Sequence, residues 1–335
     1  METPTINAES GVFASELLLR RDRLERAVAR NLGDRHLEHL LSEVDAALQR
    51  IEKGTFGLCE TCGGEIEHDR LLADPLVRYC LEDLTPGEQR ALEQDLQLAA
   101  EIQRGLLPQP SVRTHGWEVS HHFAPLGVVS GDYCDVVVPD GSDGHGFFLL
   151  GDVSGKGVAA SILMANLHAT FRTLLASRLP IDALLERANR LFCESTIASQ
   201  YATLVCVKAS PDGEVEVANA GHCPVLVRSE AGTRVMQSGG LPLGMFCSSQ
   251  YPIERTRLDR GDLMLLYTDG VIEARNAADA EYGHDRLLAM FEGLAPETRR
   301  DPARVTQACL DHLAAFRDGA PRRDDVTIMA VRRME

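Results

Sequence analysis

Basic residues are scarce in this sequence relative to acidic ones. Its 335 residues include 34 lysines and arginines against 50 aspartates and glutamates, so the formal net charge is −16. A protein of this charge repels polyanions such as nucleic acid and anionic membrane surfaces. We therefore predict no nucleic-acid partner and no membrane partner. The acidic residues are expected to form a solvated surface or to bind metal ions.

Long hydrophobic runs and a secretion signal are also lacking. No apolar segment approaches the roughly 18 residues that a membrane helix needs. Hydrophobic residues nevertheless make up 44% of the sequence, which suffices for a folded core. The first ten residues, METPTINAES, have neither the basic start nor the apolar stretch of a secretory signal. The sequence predicts a protein that stays in the cytoplasm.

The cysteines do not indicate a disulfide framework. There are nine of them, an odd number, and only Cys59, Cys62 and Cys80 are grouped. The other six are scattered through apolar stretches. This distribution is typical of a protein in a reducing compartment.

The first hundred residues have a helical pattern. A charged helix is predicted over about 14–31, followed by a turn and a second helix. In the second helix apolar residues recur every three or four positions, which is the seam of a helix packed on a partner. These residues are Leu37, Leu40, Val44, Ala47 and Ile51. We predict a helical hairpin.

A further helix begins at Thr85 and Pro86, a capping residue followed by a first-turn proline. Its apolar side suits either pairing with a second copy of the chain as a homodimer or packing on the next domain. The residues on this side are Leu92, Leu96, Ala99 and Leu106. We divide the chain into a regulatory domain over 1–85, a linker helix over 86–110 and a larger domain over 111–335.

Beyond Trp117 the sequence is rich in short β-type runs. Two helical stretches, about 157–177 and 181–198, separate the third run from the fourth. Strands in a row, then paired helices, then more strands indicate an α+β fold and not a regular alternation of strand and helix.

Four aspartates lie at the ends of strand-like segments, beside glycine or another turn residue: Asp132, Asp152, Asp269 and Asp324. A carboxylate at such a position can point into a shared cleft at the edge of a sheet. Carboxylate oxygens suit Mg²⁺ or Mn²⁺, and two such ions about 4 Å apart generate hydroxide and hold a phosphoryl group. Each aspartate alone is a weak signal, because Asp-Gly is a common turn.

Seven motifs between about residue 95 and residue 333 carry more information together. They are Ala99-x-x-Ile102-Gln103-x-x-Leu106-Leu107-Pro108, Gly131-Asp132-Tyr133-x-Asp135, Gly151-Asp152-Val153-Ser154-Gly155-Lys156-Gly157, Asn219-Ala220-Gly221-His222-x-Pro224, Leu243-Gly244, Tyr267-Thr268-Asp269-Gly270-Val271-x-Glu273-Ala274 and Asp324-Asp325-Val326-Thr327. In this order, over about 240 residues, they resemble the SpoIIE/RsbU branch of the metal-dependent PPM protein phosphatases.

The resemblance implies a sandwich of two antiparallel sheets flanked by helices, with two Mn²⁺ or Mg²⁺ ions at one edge. Asp152 would bridge both ions, assisted by the backbone carbonyl of Val153. Asp132, Asp269 and Asp324 would complete the ligands, and a metal-activated hydroxide would attack a phosphoserine. Members of this branch act on anti-anti-sigma (STAS-type) proteins in partner-switching circuits that regulate sigma factors. Such a phosphoprotein is the implied substrate and partner.

Three further polar residues lie in these motifs. His222 invites the role of a general acid, but it belongs to a turn motif, and we favour a structural role. Asp135 and Asp325 are expected to support the metal ligands without binding metal themselves.

A second candidate metal site lies in the cysteine group. Cys59-x-x-Cys62, with Cys80 after 17 intervening residues, matches three ligands of a tetrahedral zinc site. The expected fourth ligand is Asp83, and His68 is its rival. The segment over about 48–83 resembles the DksA/TraR-type zinc finger, which usually has four cysteines. Three correctly spaced thiols favour one structural Zn²⁺ over a finger held by hydrophobic contacts alone.

Two functions compete. One is a protein serine/threonine phosphatase. The other is a non-catalytic scaffold whose zinc-finger module binds the transcription machinery. Four clustered carboxylates repel one another and serve no structural purpose without a cation, which favours the phosphatase.

Overall fold

The protein is described by a computed structural model over residues 6–30, 35–67, 70–71, 74–81, 86–141, 143–196, 200–237 and 239–334. The chain forms two compact units, Met1–Asp95 and Leu96–Glu335. The division falls inside a continuous helix, Pro86–Leu106. His68 and Asp83, the two rivals for the fourth zinc ligand, lie outside the described residues.

The first unit contains the two predicted helices, α1 (Ile6–Arg30) and α2 (Arg35–Glu52), which pack on each other. Their shared core includes Leu17, Val44 and Ala47, all fully buried. This core extends to the cysteine segment, where the ring of Phe56 lies 5.4 Å from that of Phe13. The apolar spacing in α2 therefore marks its packed face, as predicted.

The second unit begins within α3 (Pro86–Leu106) and contains eleven strands in the part of the chain that the structure describes. The strands are β1 (Ser111–Thr114), β2 (Trp117–Ala124), β3 (Asp132–Val137), β4 (Gly146–Val153), β5 (Ala202–Ala209), β6 (Glu214–Ala220), β7 (Val225–Ser229), β8 (Gly232–Met236), β9 (Ile253–Arg257), β10 (Leu263–Tyr267) and β11 (Val326–Arg333). One sheet has the order β1-β2-β11-β10-β7-β8 and the other the order β3-β4-β5-β6-β9. The neighbouring strands of each sheet are antiparallel.

The helices of this unit cover the two sheets. They are α4 (Gly157–Leu175), α5 (Ile181–Ser195), α6 (Asp269–Ile272), α7 (Gly283–Glu292), α8 (Pro296–Arg299) and α9 (Pro302–Arg317). One core joins α4 and α5 to the five-stranded sheet, another lies between the sheets, and a third joins α7 and α9 to β10 and β11. The predicted α+β sandwich of two antiparallel sheets flanked by helices is confirmed.

Strand β4 contains a continuous apolar run over residues 147–150 because it is buried on both faces. Phe148 and Leu150 lie in the core between the sheets, while Phe147 and Leu149 face the core beneath the helices. A strand buried on both faces has a continuous hydrophobic run instead of alternation. Asp152 follows this run and lies near the end of the buried strand.

Helix α4 is the one described helix that is long and apolar enough to cross a membrane by length and composition. Its residues Met164, Leu167 and Phe171 are buried in the core over the five-stranded sheet. Its Arg172 forms a bidentate pair with Asp135 of β3. The apolar composition of α4 is that of a core helix.

One disulfide joins Cys193 to Cys247. The sequence did not predict it, because the two cysteines are 54 residues apart and neither belongs to a spaced motif.

Candidate active site

Strands β3 and β4 place two of the candidate aspartates side by side. Asp132 is directly opposite Asp152 in the antiparallel register, so both side chains lie on the same face of the sheet. Asp132 is 1% exposed. Its Oδ2 accepts hydrogen bonds from the hydroxyls of Thr268 and Thr327. Thr268 follows β10 and Thr327 lies in β11, both strands of the six-stranded sheet. Because Asp132 lies in the five-stranded sheet, these bonds connect the two sheets.

The other two aspartates come from the six-stranded sheet. Asp269 is the first residue of α6, directly after β10, and Asp324 lies just before β11. Gly270 allows the two segments to meet, because a Cβ at this position would lie 1.8 Å from the backbone oxygen of Asp325 and 3.3 Å from the Cβ of Asp324. The close approach of the Asp325 backbone therefore excludes a side chain at residue 270.

The electrostatics show that these carboxylates share one space. Burial, and then repulsion from Asp152, raise the pKa of Asp132 well above its usual range. Burial, followed by the charges of Asp269 and Asp324, raises the pKa of Asp152 to about 8. Burial and then the charge of Asp324 raise the pKa of Asp269 to about 6. Asp152 thus lies within electrostatic reach of the other three predicted aspartates.

Lys156 supplies a cation at this cluster, and sequence reasoning missed it. Its Nζ lies 3.2 Å from Oδ1 of Asp324 and donates to the backbone oxygen of Arg323 at 2.8 Å. The residues on either side, Gly155 and Gly157, have positive φ angles of 96° and 70°, which favour glycine. The lysine stands in a quoted motif, but nothing in the spacing says that it reaches a carboxylate 168 residues away.

Asp325 and Gln103 hold the loop before Asp132. Asp325 accepts hydrogen bonds from the Leu126 amide at 2.6 Å, the Ser130 hydroxyl at 2.6 Å and the Gly131 amide at 3.1 Å. Gln103 donates to the Ser130 carbonyl at 2.8 Å and accepts from the Ser130 amide at 3.0 Å. Asp325 was expected to support the metal ligands, and it holds the loop that precedes one of them, Asp132. Gln103 lies in one of the sequence motifs, but nothing in that motif indicates its contact with Ser130.

Asp135 supports a different contact. It is fully buried and accepts two hydrogen bonds from Arg172, at 2.6 and 2.7 Å, with His168 3.8 Å away. This arrangement holds α4 on β3.

His222 is buried and hydrogen-bonded. Its Nδ1 and the hydroxyl of Thr203 share a hydrogen bond of 2.8 Å, and its amide donates to the side chain of Asn219 at 2.8 Å. Burial lowers the pKa of His222 to about 4 from 6.5, so the imidazole is neutral at neutral pH. Stability is lost as the pH falls from about 6.5 to about 4, because the unfolded chain takes up a proton that the buried ring does not.

The first unit contains the cysteine cluster. The sulfurs of Cys59, Cys62 and Cys80 all lie within 4.8 Å of one another. The Thr61 amide lies 3.5 Å from the Cys59 sulfur and the Gly64 amide 3.4 Å from the Cys62 sulfur, and both amides donate. Such donors stabilise thiolates, which are the form that binds zinc. The sulfurs of Cys62 and Cys80 are 3.6 Å apart. A tetrahedral zinc with Zn–S bonds of about 2.3 Å requires a separation of about 3.8 Å, so the cysteines fit the metal.

Family comparisons agree with this architecture. Residues 142–334 match the sequence profile described as Stage II sporulation protein E (SpoIIE), and the chain belongs to this family. Residues 54–82 match the profile described as the prokaryotic dksA/traR C4-type zinc finger. Both resemblances found in the sequence are confirmed.

The individual relatives have low sequence identity to this chain. Protein IcfG of Synechocystis sp. is 25% identical over 268 residues, covering 71% of this chain and 41% of that protein. The phosphoserine phosphatase RsbU of Bacillus subtilis is 26% identical over 192 residues, covering 56% of each. The chain thus spans about half the length of these relatives. Among solved structures, the SiaA-PP2C domain of Pseudomonas aeruginosa has a TM-score of 0.63 at 21% identity, covering 74% of this chain and 99% of that domain. The fold of the second unit is that of the PP2C-type phosphatases.

Proposed function

We propose that the chain is a metal-dependent protein serine/threonine phosphatase. The observation that carries the proposal is the convergence of four aspartates, two in the five-stranded sheet and two beside strands of the six-stranded sheet, where burial and neighbouring carboxylates raise the pKa values of Asp132, Asp152 and Asp269. Such a cluster is stabilised by divalent cations. Family membership and the similarity to a phosphoserine phosphatase support the same activity.

The residues present fit two Mn²⁺ or Mg²⁺ ions, because the donors are all oxygens and their negative charge exceeds that of Lys156. Asp132, Asp152, Asp269 and Asp324 would hold the ions, with the carbonyl of Val153. Bound ions of this kind supply Lewis acidity toward a phosphoryl group and activate water.

The protein's own groups orient this site. The hydroxyls of Thr268 and Thr327 fix one oxygen of Asp132 and leave the other for a ligand. Asp325 and Gln103 hold the preceding loop by backbone hydrogen bonds. The Lys156 side chain is partly exposed beside Asp324, where its charge attracts the anionic phosphoryl group of a substrate.

The test is hydrolysis of a phosphoserine peptide by the purified chain in Mn²⁺, Mg²⁺ or chelator. We expect phosphate release with either metal and none in chelator. Equal rates in chelator would contradict the metal mechanism. No release under any condition, with binding of transcription proteins retained, would favour the non-catalytic scaffold instead.

We further propose that the substrate is a phosphoserine-bearing regulatory protein of the anti-anti-sigma (STAS) type. The similarity to RsbU supports this assignment. The chain is expected to dephosphorylate such a protein from its own organism with a higher kcat/KM than a peptide of the same phosphoserine sequence. Mass spectrometry of the substrate follows the loss of one phosphate. Equal kcat/KM for the two substrates would count against recognition of a folded partner.

For the cysteine cluster we propose one structural Zn²⁺ bound by Cys59, Cys62 and Cys80, with Asp83 as the fourth ligand. The thiolate-stabilising amides and the match to a C4-type zinc finger support the three cysteines. The fourth position rests on sequence spacing alone.

Replacing Cys59 by serine is expected to remove this zinc and to destabilise the finger, because metal binding and folding are coupled. Elemental analysis should fall from one zinc per chain to none, and proteolysis within 48–83 should become faster. Cys134→Ser is the matched control, since Cys134 is buried in the second unit. Asp83→Cys is expected to keep or tighten zinc binding. Zinc-free wild-type protein, purified without chelator, would refute the proposal.

We retain the division into 1–85, 86–110 and 111–335, and a homodimer through the linker helix, as proposals. In that helix Leu92 is exposed, while Leu96 is half-buried. Sedimentation of the wild type as a dimer, with Leu92→Asp as a monomer, is the expected outcome. A wild-type monomer at tens of micromolar chain would exclude the dimer.

A further inference from the structure

We propose that Cys193 and Cys247 form a reversible thiol–disulfide modification site, oxidised by a peroxide and reduced by a dithiol. We also propose that the state of this bond controls how firmly the end of β4 and the loop after it, residues 152–156, are held. The proposal does not depend on the phosphatase activity proposed above.

The two cysteines lie where redox agents reach them. Cys193 is in the last turn of α5, and Cys247 is in the turn region between β8 and β9. Their Cα atoms are 5.8 Å apart, a distance suited to a disulfide. Cys247 is exposed and Cys193 is half-buried, so a small oxidant or reductant has access to the bond.

Contacts that involve neither sulfur hold the two cysteines together. Asn189 of α5 donates to the Phe246 carbonyl at 2.8 Å and accepts from the Gly244 amide at 2.8 Å. Gly244 lies so close to the ring of Phe192 that a Cβ would come within 2.8 Å of it. In the reduced protein these contacts keep the two thiols close to each other, although they hold the turn less firmly than the covalent bond does. The disulfide can therefore form again without refolding.

The other thiols of the second unit are poor competitors for an oxidant. Cys134, Cys206 and Cys309 are buried. Burial raises the pKa of Cys309 to about 12. Since the thiolate is the reactive form, these groups react slowly at neutral pH. Within the second unit, oxidation is thereby directed to the accessible pair.

A short chain of hydrogen bonds connects the turn that contains Cys247 to Ser154, the residue directly after β4. Leu243, four residues before Cys247, exchanges two backbone hydrogen bonds with Ala202, at 2.8 and 2.9 Å. The preceding residue, Tyr201, exchanges further bonds with Ser154: its carbonyl accepts from the Ser154 amide and its amide donates to the Ser154 hydroxyl, both at 2.9 Å. The bond between Cys193 and Cys247 thus restrains the segment on which Ser154 rests.

The chemistry balances with a peroxide as oxidant. The Cys247 thiolate attacks hydrogen peroxide, the O–O bond breaks, and the products are a sulfenic acid and hydroxide. The Cys193 thiol then attacks the sulfenic sulfur, an S–S bond forms and water leaves. Two thiols and one peroxide give one disulfide and two waters, and a dithiol reverses the change by thiol–disulfide exchange.

The first test maps labelled thiols in the full chain. After denaturation, alkylation and peptide mapping, we expect Cys193 and Cys247 to be unlabelled in peroxide-treated protein and labelled after native dithiothreitol treatment. The cycle should repeat. Cys193→Ser and Cys247→Ser cannot form the disulfide, so the remaining cysteine of the pair should stay labelled after peroxide. Cys309→Ala should respond like the wild type. Cys193 and Cys247 both labelled after peroxide, or a bond that native dithiothreitol does not reduce, would overturn the proposal.

The second test measures the restraint by hydrogen–deuterium exchange of metal-free protein. Reduction, or Cys247→Ser, is expected to speed exchange about 10-fold in peptides covering 152–157 and 200–204, while peptides from β10 and β11 stay unchanged. The melting temperature should fall by about 5–10 °C on reduction, as expected for a cross-link that closes a loop of this length. Unchanged exchange in 152–157 and 200–204 would overturn control of the loop, even if the disulfide forms.

Discussion

Replacing Asp152 by asparagine is expected to abolish phosphatase activity and, at the same time, to stabilise the metal-free protein. Activity should fall on the order of 1,000-fold, because the variant loses the carboxylate proposed to bridge both metals. Stability in chelator at pH 7.5 should rise, on the order of 2–5 kcal/mol. The carboxylate has a pKa of about 8 in the folded protein against an ordinary 3.8, so its ionisation opposes folding.

The sign of this effect gives a pH signature. A carboxyl group with a raised pKa destabilises the fold progressively as the pH rises from about 4 to about 8. In chelator, the melting temperature of the wild type should therefore fall over this range more steeply than that of Asp152→Asn. With Mn²⁺ the order should reverse, because only the wild type gains full binding energy.

Asp140→Asn is the matched control, since it makes the same chemical change at an exposed turn. Both the activity and the two melting curves of this control should equal those of the wild type. A variant of Asp152 that melts at a lower temperature than the wild type in chelator would contradict the picture of mutually repelling carboxylates.

Replacing Gly270 by alanine is expected to cost about 2–4 kcal/mol of stability and at least about 100-fold in activity. The added methyl group would lie 1.8 Å from the backbone oxygen of Asp325, an approach that no rotamer can relieve. The Asp269 and Asp324 segments must then separate. Urea denaturation and Mn²⁺-dependent hydrolysis measure the two losses.

Gly105→Ala provides the comparison. Gly105 lies in α3, where a Cβ meets nothing within 4 Å. Alanine favours a helix over glycine, so this substitution should be neutral or stabilising by about 0.5 kcal/mol. If Gly270→Ala behaved like Gly105→Ala, the close approach of the two segments would be wrong.

The α+β class and the four aspartates could be predicted from local signals, whereas the sandwich followed from the family resemblance. A strand that ends in Gly-Asp or Asp-Gly has a recognisable pattern, and the order of the motifs carried the resemblance. Periodicity also marked the packed face of α2, since apolar spacing reflects burial directly.

Other features depend on contacts between distant residues, and no local pattern reveals them. The ion pair of Lys156 with Asp324 and the hydrogen bonds of Gln103 with Ser130 are of this kind. So is the Cys193–Cys247 bond, whose partners meet only because Asn189 holds the turn against α5. Thr268 and Thr327 were quoted in motifs, but their shared acceptor became evident only when β10 and β11 were adjacent.

The position of β11 has a consequence for biosynthesis. This strand lies between β2 and β10, so the six-stranded sheet has a gap at its centre until residues 326–333 have left the ribosome. Thr327, which donates to Asp132 across 195 residues, arrives with the same strand. Contacts of such long range form slowly and late in folding. Until β11 has emerged, the nascent chain therefore holds an incomplete site, because Asp324 and Thr327 are not yet in place.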